Sequence, residues 1–255
     1  MRNDRPNPET HHDTALSEAR KKVNHQIYAS RGTARIGIIV PVSNTNLEPD
    51  MMLLRPEGIS LHFARAGGYD LDQVPDGEQM KKFALATLDE VIDAISAARP
   101  NVILYGCTSA TLAHGPVFDK EFSQRIQQRT NIPTITAAGA VVEVLQEQCI
   151  TNIGFSSPYV ESLNAQAIGF LADSGINTVS EAYIGEDLGN YGQGALSPEQ
   201  VFDLGVRADH PNADAIVLSC TDMRAVEITD DLQNALGKPV ISSNGALMRC
   251  ALKRL

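Results

Sequence analysis

The chain contains no tryptophan, and only 5% of its 255 residues are aromatic. Surfaces that stack nucleobases or sugar rings draw on those side chains, so neither ligand class is indicated. Positive charge is also short: 21 Lys and Arg stand against 31 Asp and Glu, a formal net charge of −10. Nucleic acid and anionic membrane both need basic surface, so neither is expected as a partner. A small anionic substrate stays open, because a site is local and net charge is global. No apolar run approaches the roughly 20 residues of a membrane span. Met1–Thr14 is polar and lacks the hydrophobic segment of a secretory signal.

Cysteine is sparse too. Four cysteines in a chain of this size are too few for a disulfide scaffold. There is no Cys-x-x-Cys and no His-x-x-x-His, so no metal site is expected. His11 and His12 fall in the polar tail and read as solvated, and His62 and His114 as structural or surface residues. Cys149 and Cys250 read as packing residues. Cys107 and Cys220 instead end apolar strands, which points to thiols kept free in a reducing cytoplasm.

Those two strands organise the rest. Asn101–Ser109 is Asn-Val-Ile-Leu-Tyr-Gly-Cys-Thr-Ser, and Ala215–Asp222 echoes it as Ala-Ile-Val-Leu-Ser-Cys-Thr-Asp. Each is the near-continuous apolar run of a buried parallel strand, followed by residues that start a turn or helix. One cysteine at a strand end is unremarkable. Two, each followed by Thr in similar halves of one chain, suggest a pair of thiols facing a shared site.

In chain order, residues 1–33 form an extension, Pro- and Asn-rich to about His12 and helical in pattern from Asp13 to Ala29. The first lobe is expected over 34–136. It has a strand at 36–41, a polar loop at Val42–Asn46, a strand at 59–64, a flexible loop at Gly67–Asp70, and a long amphipathic helix from Glu78 to Ala98 with Phe83 and Leu85 among its core contacts. The strand ending at Cys107, a helix over Pro116–Thr130 and a strand at Thr134–Thr136 follow. The second lobe, 137–243, repeats this grammar: a strand from Asn152, a polar loop at Ser156–Tyr159, a helix over Ser162–Ser174, and a strand over Val179–Ile184. Ser197-Pro198 carries a helix N-terminus signature. The glycine-rich stretch Gly185–Gly194 fits no dinucleotide fingerprint and reads as a lid or turn. A final helix over 244–255 is expected to pack back on the first lobe. The fold class is α/β, with two doubly wound Rossmann-like lobes related by a pseudo-repeat and a helical N-terminal extension. Ligands of such sheets lie beyond the C-terminal strand ends. That rule gathers Asn44, Cys107, Tyr159 and Cys220 at one cleft.

Four motifs occur in this order: Ile-Gly-Ile-Ile-Val-Pro-x-Ser-Asn-Thr at 36–45, Gly-Cys-Thr-Ser at 106–109, Ser-Pro-Tyr at 157–159 and Leu-Ser-Cys-Thr at 218–221. Together they resemble the aspartate/glutamate racemase superfamily, within it the maleate cis–trans isomerase and arylmalonate decarboxylase branch, over about Arg35–Leu255. The resemblance implies no metal, no cofactor and chemistry between the lobes. It implies that Cys107 and Cys220 are the two family cysteines. Because the decarboxylase branch lacks the first, keeping both favours isomerase or racemase chemistry. It aligns Asn44, Tyr159 and Asn190 with substrate-binding residues, and Thr108, Ser109 and Thr221 with donors beside them. Asp222 needs a partner so close to an anionic substrate, and Arg224 is a candidate.

The expected activity is cofactor-independent isomerisation of a small dicarboxylate of the maleate-to-fumarate type. A thiolate adds to one carbon, the resulting single bond rotates, and elimination follows. The alternatives are an Asp/Glu/hydantoin-type amino-acid racemase, a malonate-type decarboxylase, an ectoine-utilisation relative, and a two-lobed small-acid binding protein without turnover. A homo-oligomer, dimer or tetramer, is expected from the N-terminal extension and the family likeness.

Overall fold

The computed structural model describes residues 17–18, 20–21, 32–67 and 88–255. Of the expected N-terminal helix, residues 17–18 and 20–21 are described and are helical; its other residues, the loop beyond Gly67 and the helical stretch Glu78–Thr87, with Phe83 and Leu85, lie outside the described residues.

The first sheet is parallel, in the order β2-β1-β3-β4, with β1 at Ala34–Pro41, β2 at Ile59–Ala66, β3 at Val102–Tyr105 and β4 at Thr134–Thr136. The second is parallel in the matching order β6-β5-β7-β8: β5 Asn152–Val160, β6 Asn177–Gly185, β7 Ala215–Leu218 and β8 Val240–Ser242. The expected pair of α/β lobes is therefore present, strand for strand. In the first lobe Ile36, Ile38, Val40, Val102 and Leu104 join one hydrophobic cluster, whereas Ile39, Ile103 and Tyr105 join another. Successive side chains point to opposite faces of a strand. A sheet buried on both faces has to be apolar at every position, which is why these strands carry no polar alternation.

The helices follow from local chemistry. In order they are α1 Leu47–Leu54, α2 Leu88–Ser96, α3 Ser109–Leu112, α4 Gly115–Thr130, α5 Ala137–Glu147, α6 Glu161–Asp173, α7 Gly189–Ala195, α8 Pro198–Arg207, α9 Thr229–Leu236 and α10 Ser243–Leu252. α5 starts directly at the end of β4, because Thr136 accepts the Gly139 N–H as an N-cap. Ser242 at the end of β8 does the same for α10 through the Gly245 N–H. At α8, Ser197 and Gln200 form a reciprocal capping box with Pro198 at the first helical position. α10 follows the second sheet, yet it packs against α5 and against α1, β3 and β4 of the first lobe. Among the described residues no helix is long and apolar enough to cross a membrane.

Two segments depart from the sequence reading. The stretch after β6 is not a plain loop, since α7 forms inside it. The Gly189 N–H bonds Asp187 Oδ1, and a left-handed backbone at Gly189 (φ 65°) starts the turn. Tyr159 sits in β5 rather than in a loop, because the strand continues past a register shift between Ser157 and Val160. An irregularity of this kind re-aims side chains near strand ends.

Candidate active site

In a sheet ordered 2-1-3-4 the crevice opens between β1 and β3, where the winding reverses. The first lobe places the Val42–Asn46 loop and Cys107 there, and the second places Tyr159 and Cys220 at the equivalent point. The pairing offsets make the likeness concrete. Ile39 pairs with Tyr105 and Ser156 with Leu218, so Cys107 stands level with Pro41 and Cys220 with Pro158. All four cysteines are free thiols, and Cys107 and Cys220 are both buried.

A short polar chain joins the two strand ends across the lobe boundary. Thr221 Oγ1 donates to the Gly106 carbonyl at 2.8 Å, and Asn44 Nδ2 donates to Thr221 Oγ1 at 3.1 Å. Asn44 Oδ1 in turn accepts the N–H groups of Asn46 (3.1 Å) and Leu47 (2.8 Å) at the start of α1. Gly106 has no room for a side chain, because a Cβ there would stand 2.2 Å from Leu47 Cδ2. The position of Cys107 thus rests on the buried Leu47, and that of Asn44 on Thr221.

Thr108 Oγ1 donates to Ser243 Oγ at 3.3 Å, so the hydroxyls of Thr108 and Thr221 are both engaged within the protein. Ser109 Oγ lies 3.7 Å from Cys107 Sγ. Tyr159 is buried, with its hydroxyl 3.4 Å from Ser219 Oγ. Asn190 on α7 accepts from Ser43 Oγ at 3.0 Å, which brings it to the first-lobe loop. The expected residues therefore converge on one seam. Asp222 does not pair with Arg224: its carboxylate accepts from the Thr45 and Asn46 amides at 2.8 and 3.1 Å, while Arg224 binds Glu227 at 2.8 and 2.9 Å.

Gln193 is a neighbour of the site that the sequence reading missed. Cys220 Sγ donates to its Oε1 at 3.3 Å. The available signal was its place three residues, nearly one helical turn, after Asn190. The buried bond from Asn244 Nδ2 to Asp50 Oδ2 (2.7 Å), with a second from Asn244 Nδ2 to the Thr221 carbonyl (3.0 Å), was also unforeseen.

The two thiols have related but unequal surroundings. Burial raises the pKa of both, and it is the largest cause in each case. At Cys107 the next influences are the Ala110 N–H and the Ser109 hydroxyl, which favour the thiolate. At Cys220 the next is the negative charge of Asp222, which favours the thiol, ahead of the amides of Asp222 and Met223. A charge on Cys107 raises Cys220 further, and Tyr159 is pushed up chiefly by burial and then by charge on either thiol. Cys107 is thus the thiol better prepared to ionise, and Cys220 the one better prepared to keep its proton. Among the described residues no cluster of three His, Cys, Asp or Glu side chains could hold a metal ion.

These features define a two-lobed α/β enzyme with its candidate chemistry between the lobes. The model of the family described as arylmalonate decarboxylase matches residues 36–254, and the chain belongs to that family. It is 30% identical over 239 residues to maleate isomerase of Geobacillus stearothermophilus, covering 87% of this chain and 91% of that one. To maleate isomerase of Alcaligenes faecalis it is 29% identical over 225 residues, covering 83% and 87%. Arylmalonate decarboxylase of Bordetella bronchiseptica is 24% identical over 214 residues, 82% of each chain. Among solved structures, a variant of Nocardia farcinica maleate cis–trans isomerase with a covalently bound succinylcysteine intermediate superposes with a TM-score of 0.78 at 24% identity, covering 87% of this chain and 92% of that one. A variant of maleate isomerase from Pseudomonas putida S16 with maleate gives 0.77 at 22%, covering 86% and 90%. Both support the fold. Within the family the chain is a maleate isomerase-like enzyme.

Proposed function

We propose that this enzyme isomerises a small cis-dicarboxylate of the maleate type, without a cofactor, through Cys107 and Cys220. The observation that carries the reading is the unequal pair of buried thiols at equivalent strand ends of one seam. The Cys107 thiolate adds to one alkene carbon, and the π electrons move toward the carboxylate on the neighbouring carbon. The Cys220 S–H then protonates that carbon, leaving a succinyl thioether. Its C–C bond is single and rotates. Cys220, now a thiolate, takes back a proton, the double bond re-forms and Cys107 leaves as thiolate, so protons and electrons balance over the cycle. The relative with a succinylcysteine supports the covalent step.

The remaining residues fit the recognition of two carboxylates. Asn44 spends one Nδ2 hydrogen on Thr221 and has the second for a substrate oxygen; Asn190 uses its Oδ1 on Ser43 and has its Nδ2 for the other end. The Ser109 and Ala110 amides stabilise negative charge at Cys107. Free thiols throughout the chain support a reducing, cytoplasmic setting. Exposed Met52 and Leu53 on α1 support a homo-oligomer, dimer or tetramer.

The test is incubation with maleate followed by NMR for fumarate, in wild type, Cys107→Ala and Cys220→Ala. Both variants should lose turnover while staying folded. Turnover that survives loss of Cys107 sinks the mechanism, and a folded wild type without turnover sinks the substrate. Amino acids incubated in D2O supply the competing outcome: α-proton exchange in place of fumarate formation identifies a racemase.

A further inference from the structure

Asp222 is a buried carboxylate at the seam, and beyond the charge that favours the Cys220 thiol the proposed chemistry gives it no task. We propose that Asp222 is a positioning residue whose carboxylate latches the Val42–Asn46 loop of the first lobe onto the Cys220 loop of the second, and so sets how well Asn44 binds substrate. The kinetic part of this proposal rests on the maleate-type reading above.

The geometry is that of a helix cap supplied from the other lobe. Asn46 is the N-cap residue of α1 but makes no side-chain cap of its own. The amides that open this helix need acceptors. Asn44 Oδ1 serves Asn46 and Leu47, and Asp222 Oδ1 serves Thr45 at 2.8 Å and Asn46 at 3.1 Å. Asn46 Nδ2 returns the contact, donating to the Asp222 carbonyl (2.7 Å), to Asp222 Oδ1 (3.3 Å) and to the Gly194 carbonyl (3.0 Å). On its own side, the Asp222 N–H donates to Cys220 Sγ at 3.4 Å. One residue therefore touches a candidate catalytic thiol and fixes the loop that carries Asn44.

Packing closes the latch from a third side. A Cβ at Gly194 would stand 2.9 Å from Asp222 Oδ2 and 3.0 Å from Asn46 Nδ2, so glycine is what lets α7 approach. Among the described residues no Lys, Arg or His forms an ion pair with Asp222. The titratable groups that sense it are Asp50 on α1, Cys107 in the first lobe and Cys220 on its own loop. Buried without a cation, the carboxylate is held by amide donors, as an acid at a helix N-terminus is.

The test compares Asp222→Ala, Asp222→Asn and Gly194→Ala in the full chain. With maleate, Asp222→Ala raises KM by about tenfold or more, because a loosened binding loop loses aligned contacts. Asp222→Asn keeps an Oδ1 acceptor for both amides and holds KM within about threefold. Gly194→Ala behaves as Asp222→Ala does. The latch is overturned by an Asp222→Ala KM within about threefold of wild type, or by an Asp222→Asn as impaired as the alanine variant. A wild type that does not turn over maleate breaks the functional reading instead, and the latch is then judged by NMR. The Thr45 and Asn46 amide protons should keep their positions in Asp222→Asn and move upfield in Asp222→Ala; unmoved resonances in Asp222→Ala overturn the proposal. Should Asp222→Ala fail to fold, Gly194→Ala carries both readouts.

Discussion

Replacing Gly106 by alanine tests how tightly packing fixes Cys107. The added methyl would meet Leu47 Cδ2 at 2.2 Å, the Ile39 carbonyl oxygen at 3.0 Å and Leu47 Cγ at 3.5 Å. Leu47 is fully buried at the start of α1, so its side chain has no open space to turn into. Overpacking of this kind costs about 1–3 kcal/mol. For a domain of this size that lowers Tm by roughly 2–12 °C, at about 2–4 °C per kcal/mol. Function should fall with it. The Gly106 N–H is held by the Ile39 carbonyl and its own carbonyl by Thr221, both at 2.8 Å, so any relief of the clash shifts Cys107 or Asn44. Thermal unfolding and turnover are measured on Gly106→Ala, with Gly169→Ala as control. Gly169 lies inside α6 with open space around it, and alanine there should stabilise by about 0.5–1 kcal/mol. Leu47→Ala in the Gly106→Ala background should cost less than the sum of the two single changes, because it removes the clash. A Gly106→Ala protein with wild-type Tm and full activity would show that Leu47 does not fix the position of Cys107.

Gln193→Leu leaves the Cys220 S–H without its acceptor and should lower kcat about tenfold while leaving Tm within about 2 °C; unchanged kinetics contradict the assignment. Asp50, buried beside Asn244, has its pKa raised from 3.8 to about 6, chiefly by burial. The folded chain therefore holds this proton more tightly than the unfolded one. The stabilisation is complete below about pH 3.8 and is lost as pH rises through about 6. Asp50→Asn removes that dependence, so its stability relative to wild type should rise by up to roughly 3 kcal/mol between about pH 4 and pH 7 in urea titrations. A difference that is flat or falls over that range refutes the sign.

The strand ends were legible because burial on both faces forces an uninterrupted apolar run, as in Val102–Tyr105 and Ala215–Leu218. The pseudo-repeat was legible because each run stops at Cys-Thr. α7 was not: three of its seven residues are glycine, so its order comes from neighbours rather than from propensity. The bonds from Asn46 Nδ2 to the Gly194 carbonyl and from Cys220 Sγ to Gln193 Oε1 supply it. Helix onsets such as that of α5 turned on a single hydroxyl, Thr136, which the apolar pattern does not register. The Asp222 latch joins residues 177 positions apart in the chain and has no local signature. Arg224, the neighbour expected to pair with Asp222, instead binds Glu227 three residues on, while Asp222 takes the first-lobe amides.

Cys107 is proposed to carry the covalent bond while Cys220 moves the proton. Peptide mass spectrometry on Cys220→Ser after incubation with maleate separates the two roles. The mass of one added maleate is expected on the peptide holding Cys107, and none when Cys107→Ser is treated in the same way. An adduct on Cys220 in the Cys107→Ser protein, or turnover without any Cys107 adduct in Cys220→Ser, would contradict it.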